Sequence, residues 1–314
     1  MLIISSALAA IVPMTIYLIL IWRFDRYDRE PFKMVLNNYL WGAVGAVVLT
    51  LLVSGSFSAF ISFFITDANN LQRFETIIIA PVVEEIIKGA FLLITAASFK
   101  FDNMTDGIVY GGAIGLGFGM TENFLYFISY GSSIEQWVTL VIVRTLFSAV
   151  MHCVSTATLG AFIGYAKFKK RIIKYTFPFI GLFIAMFIHF SWNFSVSSES
   201  TAFIGFFFMF CTIAIFITVF SASVYSERKI IFDELIEEVE SGLIPHEHLL
   251  LLNSAKRNIP GWIDESVRKL YIRSATTLAF RKMQIKSSSG KSREYYETEI
   301  ENYRNFIKNL TADS

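Results

Sequence analysis

Glu75–Ala97 reads ETIIIAPVVEEIIKGAFLLITAA, an apolar run interrupted near its middle by Glu84, Glu85 and Lys88. At about 1.5 Å per residue, a helix of this length crosses a hydrocarbon core of about 30 Å. A charged side chain at that depth costs roughly 2.5 to 3.5 kcal/mol on insertion scales, so such groups face a protein interior or a watery cavity and have partners there. Glu84 and Lys88 are i and i+4 with the acid N-terminal, the better orientation for pairing, while Glu85 lies about 100° around the helix. The spacing predicts a Glu84–Lys88 ion pair and leaves Glu85 without a local countercharge, free to take and return a proton. Pro81 removes a backbone donor one turn earlier and predicts a kinked helix beside a polar cavity. The bland alternative is a structural ion-pair cluster that holds helices together.

Composition supports a membrane setting. Of 314 residues, 54% are hydrophobic and 32 are Phe, which places the chain in the membrane class. Residues 1–225 hold 13 Lys/Arg and 12 Asp/Glu, mostly in short loops, whereas residues 226–314 hold 14 of each and no spanning stretch. Two parts are expected: a polytopic membrane body over 1–225 and a polar helical tail over 226–314. Cys153 and Cys211 both sit in apolar runs, so no disulfide framework is indicated. A net charge of +1 carries no signature of nucleic-acid binding, and the balanced tail is not a polybasic lipid anchor.

Seven apolar segments are expected to span, near residues 2–22, 34–65, 75–97, 106–130, 137–166, 172–194 and 201–224. The loops after the first, third and fifth carry 10 Lys/Arg, and those after the second, fourth and sixth carry 1. Positive charge collects on the cytoplasmic side, so the N-terminus is expected outside and the tail in the cytoplasm of a multi-pass cell-membrane protein. In the tail, ERKIIFDELIEEVES, GWIDESVRKLYIRSATTLAFRKMQIK and REYYETEIENYRNFIKNL have helical periodicity, broken at Gly242 and around Gly290. This is an amphipathic module for packing on cytoplasmic loops or for a cytosolic partner. His246 and His248 read as surface histidines of a turn. The fold class is therefore all-α, a membrane bundle of about seven helices with a helical tail.

Further polar groups fall inside the apolar runs. The fourth segment repeats glycine at Gly111, Gly115 and Gly119, the spacing of close helix approach, and then carries Glu122 and Asn123. The fifth brings Arg144 and His152, and the sixth ends with His189 and Asn193 at i and i+4. Three carboxylates, two imidazoles and an amide at overlapping depths supply an acid, a base and oxyanion donors, the ingredients of amide hydrolysis. They equally supply a metal site of neutral imidazoles plus carboxylate. No HExxH or other compact metal motif is present, so zinc and no cofactor both stay open.

DRYDREP (25–31), VVEEIIKG (82–89), DGIVYGGAIGLGFGMTENFLYF (106–127), VRTLFSAVMHC (143–153), LGAFIGYAKF (159–168) and IHFSWNF (188–194) appear in this order. Together they resemble the PrsW family of bacterial intramembrane proteases, distant relatives of the CAAX prenyl endopeptidases, over roughly residues 24–220. The resemblance implies an intramembrane endopeptidase acting on membrane-spanning proteins or peptides, such as single-span anti-sigma factors, or on lipid-modified peptides. It implies that Glu84 and Glu85 activate water and that Glu122 stands where the prenyl endopeptidases place a histidine. His189 and Asn193 match a motif thought to hold the oxyanion, with Lys88, Asn123 and Arg144 in support. Some relatives carry Asp where this chain has Asn193, and an amide cannot serve as an anionic base. A transporter or binding protein using the same charges as a proton relay or ligand site is the competing reading, although no inverted repeat is evident.

Overall fold

The computed structural model describes residues 2–312, and their regular secondary structure is entirely helical. Ten helices follow in order: α1 Leu2–Phe24, α2 Phe32–Ile61, α3 over 68–96, α4 Met104–Tyr130, α5 Ile134–Ala166, α6 Arg171–Val196, α7 Glu199–Glu240, α8 His246–Leu252, α9 Glu265–Ile285 and α10 Lys291–Ala312. The chain forms two compact units, one of residues 1–24, 30–167 and 171–220, the other of 25–29, 168–170 and 221–314.

In the first unit, α1, α2, α5, α6 and α7 are long and apolar enough to cross a membrane. The two other expected spans, α3 and α4, carry the Glu-Glu-Lys cluster and the glycines. The lower apolarity of α4 fits its burial over Thr105–Gly119, because a helix enclosed by other helices does not need a lipid-compatible face, whereas α3 keeps an exposed apolar face that includes Val82, Ile86 and Ile94. Large apolar side chains line the outside of the unit, with Phe183 70% and Phe203 81% exposed, a surface suited to hydrocarbon rather than water.

The bundle is organised around α4, which packs on α1, α2 and α5. Gly107, Gly111, Gly115 and Gly119 recur every fourth residue and meet the backbone of α5 at Gly160, Thr156, His152 and Ala149 in turn. A Cβ at Gly115 would lie 2.1 Å from the His152 carbonyl oxygen, so only glycine lets the two backbones come this close. Gly117, on another face, abuts the Tyr39 carbonyl of α2 in the same way. On the far side of α5, Met151 packs with Ile188, Trp192 and Met209 of α6 and α7.

The second unit has its own apolar core: Ile231 and Leu235 of α7, Leu249 and Leu252 of α8, Tyr271 and Leu278 of α9, and Ile300 and Ile307 of α10. Buried Glu238 receives Lys282 and Arg304, each at 2.7 Å, and Lys286 pairs with Glu234 at 2.6 Å. Burial alone would raise the Glu238 carboxyl, but the bonds from Arg304 and Lys282 outweigh it and hold it below the ordinary value. Arg257 donates to the Tyr27 carbonyl at 2.7 Å, tying the 25–29 segment to this core.

Several expectations change in detail. The helix that carries the seventh apolar segment continues beyond it; α7 runs unbroken for 42 residues to Glu240. No glycine or proline lies between Gly205 and Gly242, so nothing in the sequence stops the helix when its composition turns polar. It ends where Gly242 takes φ +77°, a left-handed conformation that favours glycine. His248 is not a free surface group either. Its Nδ1 lies 3.1 Å from the Tyr271 hydroxyl and its ring meets Trp262 edge-on, so a turn that reads as polar is part of the module's packing.

Candidate active site

Two of the site-bearing helices are irregular one turn before their functional residues. In α3, residues Glu75–Ile79 form a π turn, with the Ala80 N–H reaching back to the Glu75 carbonyl, directly ahead of Pro81 and the Glu-Glu-Lys stretch. The expected disturbance at Pro81 thus takes the form of a widened turn. In α5, Arg144–Ser148 does the same ahead of His152. Single π turns of this kind re-aim the residues that follow and recur at functional sites.

The structure brings Glu84, Glu85, Lys88, Glu122, Asn123, Arg144, His152 and His189 together. Lys88 is fully buried and donates to Glu85 Oε1 at 2.9 Å and Glu84 Oε2 at 3.2 Å, with its Nζ 3.0 Å from His152 Nδ1 and 4.0 Å from the centre of the Phe118 ring. The expectation that Lys88 serves Glu84 and leaves Glu85 unpaired is therefore corrected. Residues three apart share a face as well as residues four apart, and the long amine spans both. Glu85 is in fact the more restrained carboxylate. It also accepts from Ser155 Oγ and Thr156 Oγ1, both at 3.1 Å, and faces His189 Nδ1 at 3.1 Å.

Each imidazole has one nitrogen against a carboxylate and the other directed toward Glu84. His152 Nε2 meets Glu122 Oε2 at 2.5 Å, and its Nδ1 lies 3.8 Å from Glu84 Oε2. His189 Nδ1 meets Glu85, and its Nε2 lies 3.9 Å from Glu84 Oε2. The rings stand perpendicular with centres 4.8 Å apart. Arg144 holds Glu122 at 2.9 Å, donates through Nε to Asn123 Oδ1 at 3.0 Å and stacks 3.6 Å from the centre of the Tyr126 ring.

Glu84, Glu122, His152 and Asn193 line one cavity of about 590 Å³. Asn193 stands on its wall rather than within the cluster, and its amide nitrogen donates to the Thr76 carbonyl of the π turn at 2.8 Å. The sequence reading missed Ser155, Thr156, Tyr126 and Phe118. The two hydroxyls were within reach of spacing, since they follow His152 at i+3 and i+4 on the same helix face.

Glu84, His152 and His189 each offer a ligand atom within 4.8 Å of the others, all buried. Two imidazoles and a carboxylate are a donor set that holds catalytic zinc. Each imidazole is oriented through its other nitrogen by a carboxylate, the usual arrangement around ligating histidines. The residues present therefore fit a divalent metal.

A profile of the family described as "PrsW family intramembrane metalloprotease" matches residues 30–220. The curated relatives include Protease PrsW of Bacillus subtilis (strain 168), 28% identical over 179 residues, which cover 56% of this chain and 75% of that protein. Protease PrsW of Shouchella clausii (strain KSM-K16) is 28% identical over 198 residues, covering 62% of this chain and 85% of the relative. Protease PrsW of Clostridioides difficile (strain 630) is 27% identical over 194 residues, covering 61% and 79%. No solved structure matches the chain.

Proposed function

The chain belongs to the PrsW family of intramembrane proteases, and on that premise we propose that it is a metalloprotease in which Glu84, His152 and His189 hold a zinc-type ion. The observation that carries this reading is the pairing of each imidazole with a carboxylate, Glu122 for His152 and Glu85 for His189, while the opposite nitrogens turn toward Glu84. When bound, such an ion polarises the scissile carbonyl and makes its water a nucleophile near neutral pH.

The protein's own groups prepare the site for that role. Glu122, anchored by Arg144, accepts a hydrogen bond from the His152 Nε2–H and leaves the Nδ1 lone pair toward Glu84, where Lys88 now donates to it. Glu85 does the same for His189, with Ser155, Thr156 and Lys88 fixing the carboxylate. An amide nitrogen has two hydrogens, so Asn193 can bind Thr76 with one and meet a developing oxyanion with the other. The Lys88 ammonium beside His152 supports a second reading, in which this cation balances the cluster without a metal and Glu84, facing the cavity, is the base that activates water.

The proposed substrate is a membrane-spanning protein or peptide. The proposed topology has seven spans, an outside N-terminus and a cytoplasmic tail. Residues 25–29 and 168–170, which follow α1 and α5 in the positively charged loops, belong to the same compact unit as 221–314, which supports a common side for all three. A reporter active only in the cytoplasm should work when fused to the tail and fail at Ser132.

The deciding experiment purifies the protein in detergent, follows cleavage of single-span peptides and measures bound metal in the same sample. The metal reading expects one ion per active chain, its loss in His189→Asn, and activity abolished by chelation and restored by zinc. Full activity in metal-free protein would leave the glutamic reading. Glu84→Gln should lower cleavage by about 10² to 10⁴ in that case, as for a lost general base.

A further inference from the structure

Glu75 lines the same cavity as Glu84, Glu122 and His152 but is held differently from the other carboxylates. Glu84 and Glu85 share Lys88, and Glu122 has Arg144. Glu75 accepts a short hydrogen bond from Ser58 of α2, and among the described residues no cation lies beside it. Arg73, two positions earlier on α3, points to a different face and is exposed. Of the three carboxylates on the cavity wall, Glu84 has Lys88 and Glu122 has Arg144, so Glu75 is the one left without a cation among the described residues. A partly enclosed wall with this imbalance attracts a positive group. There is room for one in a cavity of about 590 Å³.

Resting on the protease reading above, we propose that Glu75 and Ser58 form a specificity subsite for a cationic side chain of the substrate, Lys or Arg. Nine residues of helix separate Glu75 from Glu84, about 13 Å along the axis at 1.5 Å per residue. An extended substrate covers about 3.3 Å per residue, which sets the cation about four residues from the bond that is cut. The carboxylate supplies charge-assisted hydrogen bonds at that register, while Glu84 and the histidines engage the scissile group.

The test uses the full chain in phosphatidylcholine vesicles, which contain no primary amine, and synthetic single-span Leu/Ala peptides of about 30 residues. Each peptide carries one Lys, or Gln as comparator, at successive positions on either side of its centre. Cleavage is read as kcat/KM, and binding is read separately on a Glu84→Gln chain. At one register the Lys peptide should be preferred about tenfold in both readouts, as for a hydrogen bond to a charged group. Glu75→Gln keeps the shape and a partner for Ser58, and should erase the preference without changing thermal stability. Glu75→Lys should reverse it toward a Glu peptide.

Binding blind to the peptide's charge, or a preference that survives Glu75→Gln, overturns the subsite. Binding that responds to added phosphatidylethanolamine through Glu75 but not to the peptide's charge assigns the cation to lipid headgroups and overturns it as well. Charge-dependent binding without any cleavage supports the subsite and counts against the protease reading alone.

Discussion

Replacing Gly115 with alanine tests whether the close approach of α4 to α5 sets the geometry of the site. The new Cβ would stand 2.1 Å from the His152 carbonyl oxygen and 2.5 Å from its carbon, where ordinary contact begins at 3.4 Å. The helices must therefore part by about 1.3 Å at the turn that carries the imidazole, since backbone on both sides leaves no flexible side chain to yield. His152 bridges α4 and α3 through contacts of 2.5 Å to Glu122 and 3.0 Å to Lys88, and a shift of that size breaks one of them. A misplacement near 1 Å costs about 10²-fold in rate, and overpacking of this kind costs about 1 to 3 kcal/mol of stability. Gly112→Ala is the matched control on the same helix, because its Cβ would meet Cys153 Sγ at 3.4 Å, an ordinary contact. Alanine there should be neutral or stabilising by up to about 1 kcal/mol. The assay compares kcat/KM on a single-span peptide with thermal unfolding in detergent for both variants. If Gly115→Ala cuts and melts as Gly112→Ala does, the glycine stripe does not position the site.

Ser155→Ala with Thr156→Val removes two donors from Glu85. Each hydrogen bond to a charged group is worth about 1.5 to 3 kcal/mol, so the double variant should melt earlier and cut at least about tenfold more slowly; unchanged kinetics would mean that Lys88 and His189 suffice to hold Glu85. Glu238→Ala strips Lys282 and Arg304 of their shared partner, though Lys282 keeps Glu237 at 2.9 Å, so the second unit should lose about 2 to 3 kcal/mol, read as faster amide exchange in α9 and α10 with cleavage by the membrane body unchanged. Burial holds the His248 imidazole below its ordinary value. The folded value is depressed, so the module should be fully stable above the unfolded value of about 6.5 and lose stability as pH falls from there through the folded value. His248→Phe should flatten that slope in the same exchange measurement, and an unchanged slope would place the titration elsewhere.

The amino-acid sequence alone determined the helical class, the apolar segments and the ionisable residues within them, because these follow from local quantities. Hydropathy marks spans segment by segment, and an ionisable group inside one stands out wherever the chain later folds. The glycine spacing of the fourth segment was legible for the same reason, since a small-residue stripe repeats along a single helix. Tertiary structure decided which polar groups pair. Lys88 reaches both carboxylates from its own helix, but α5 and α6 brought Ser155, Thr156 and His189 to Glu85, so the acid that looked unpaired on that helix became the most restrained one. Only the packed bundle could show that Glu75, which reads as an ordinary first residue of an apolar run, shares a cavity wall with Glu84 and Glu122. The extent of α7 lies between these cases. Its lack of Gly and Pro was visible in the sequence, but whether an apolar and a polar half join into one helix depends on the core that receives Ile231 and Leu235, and that core is assembled from four helices.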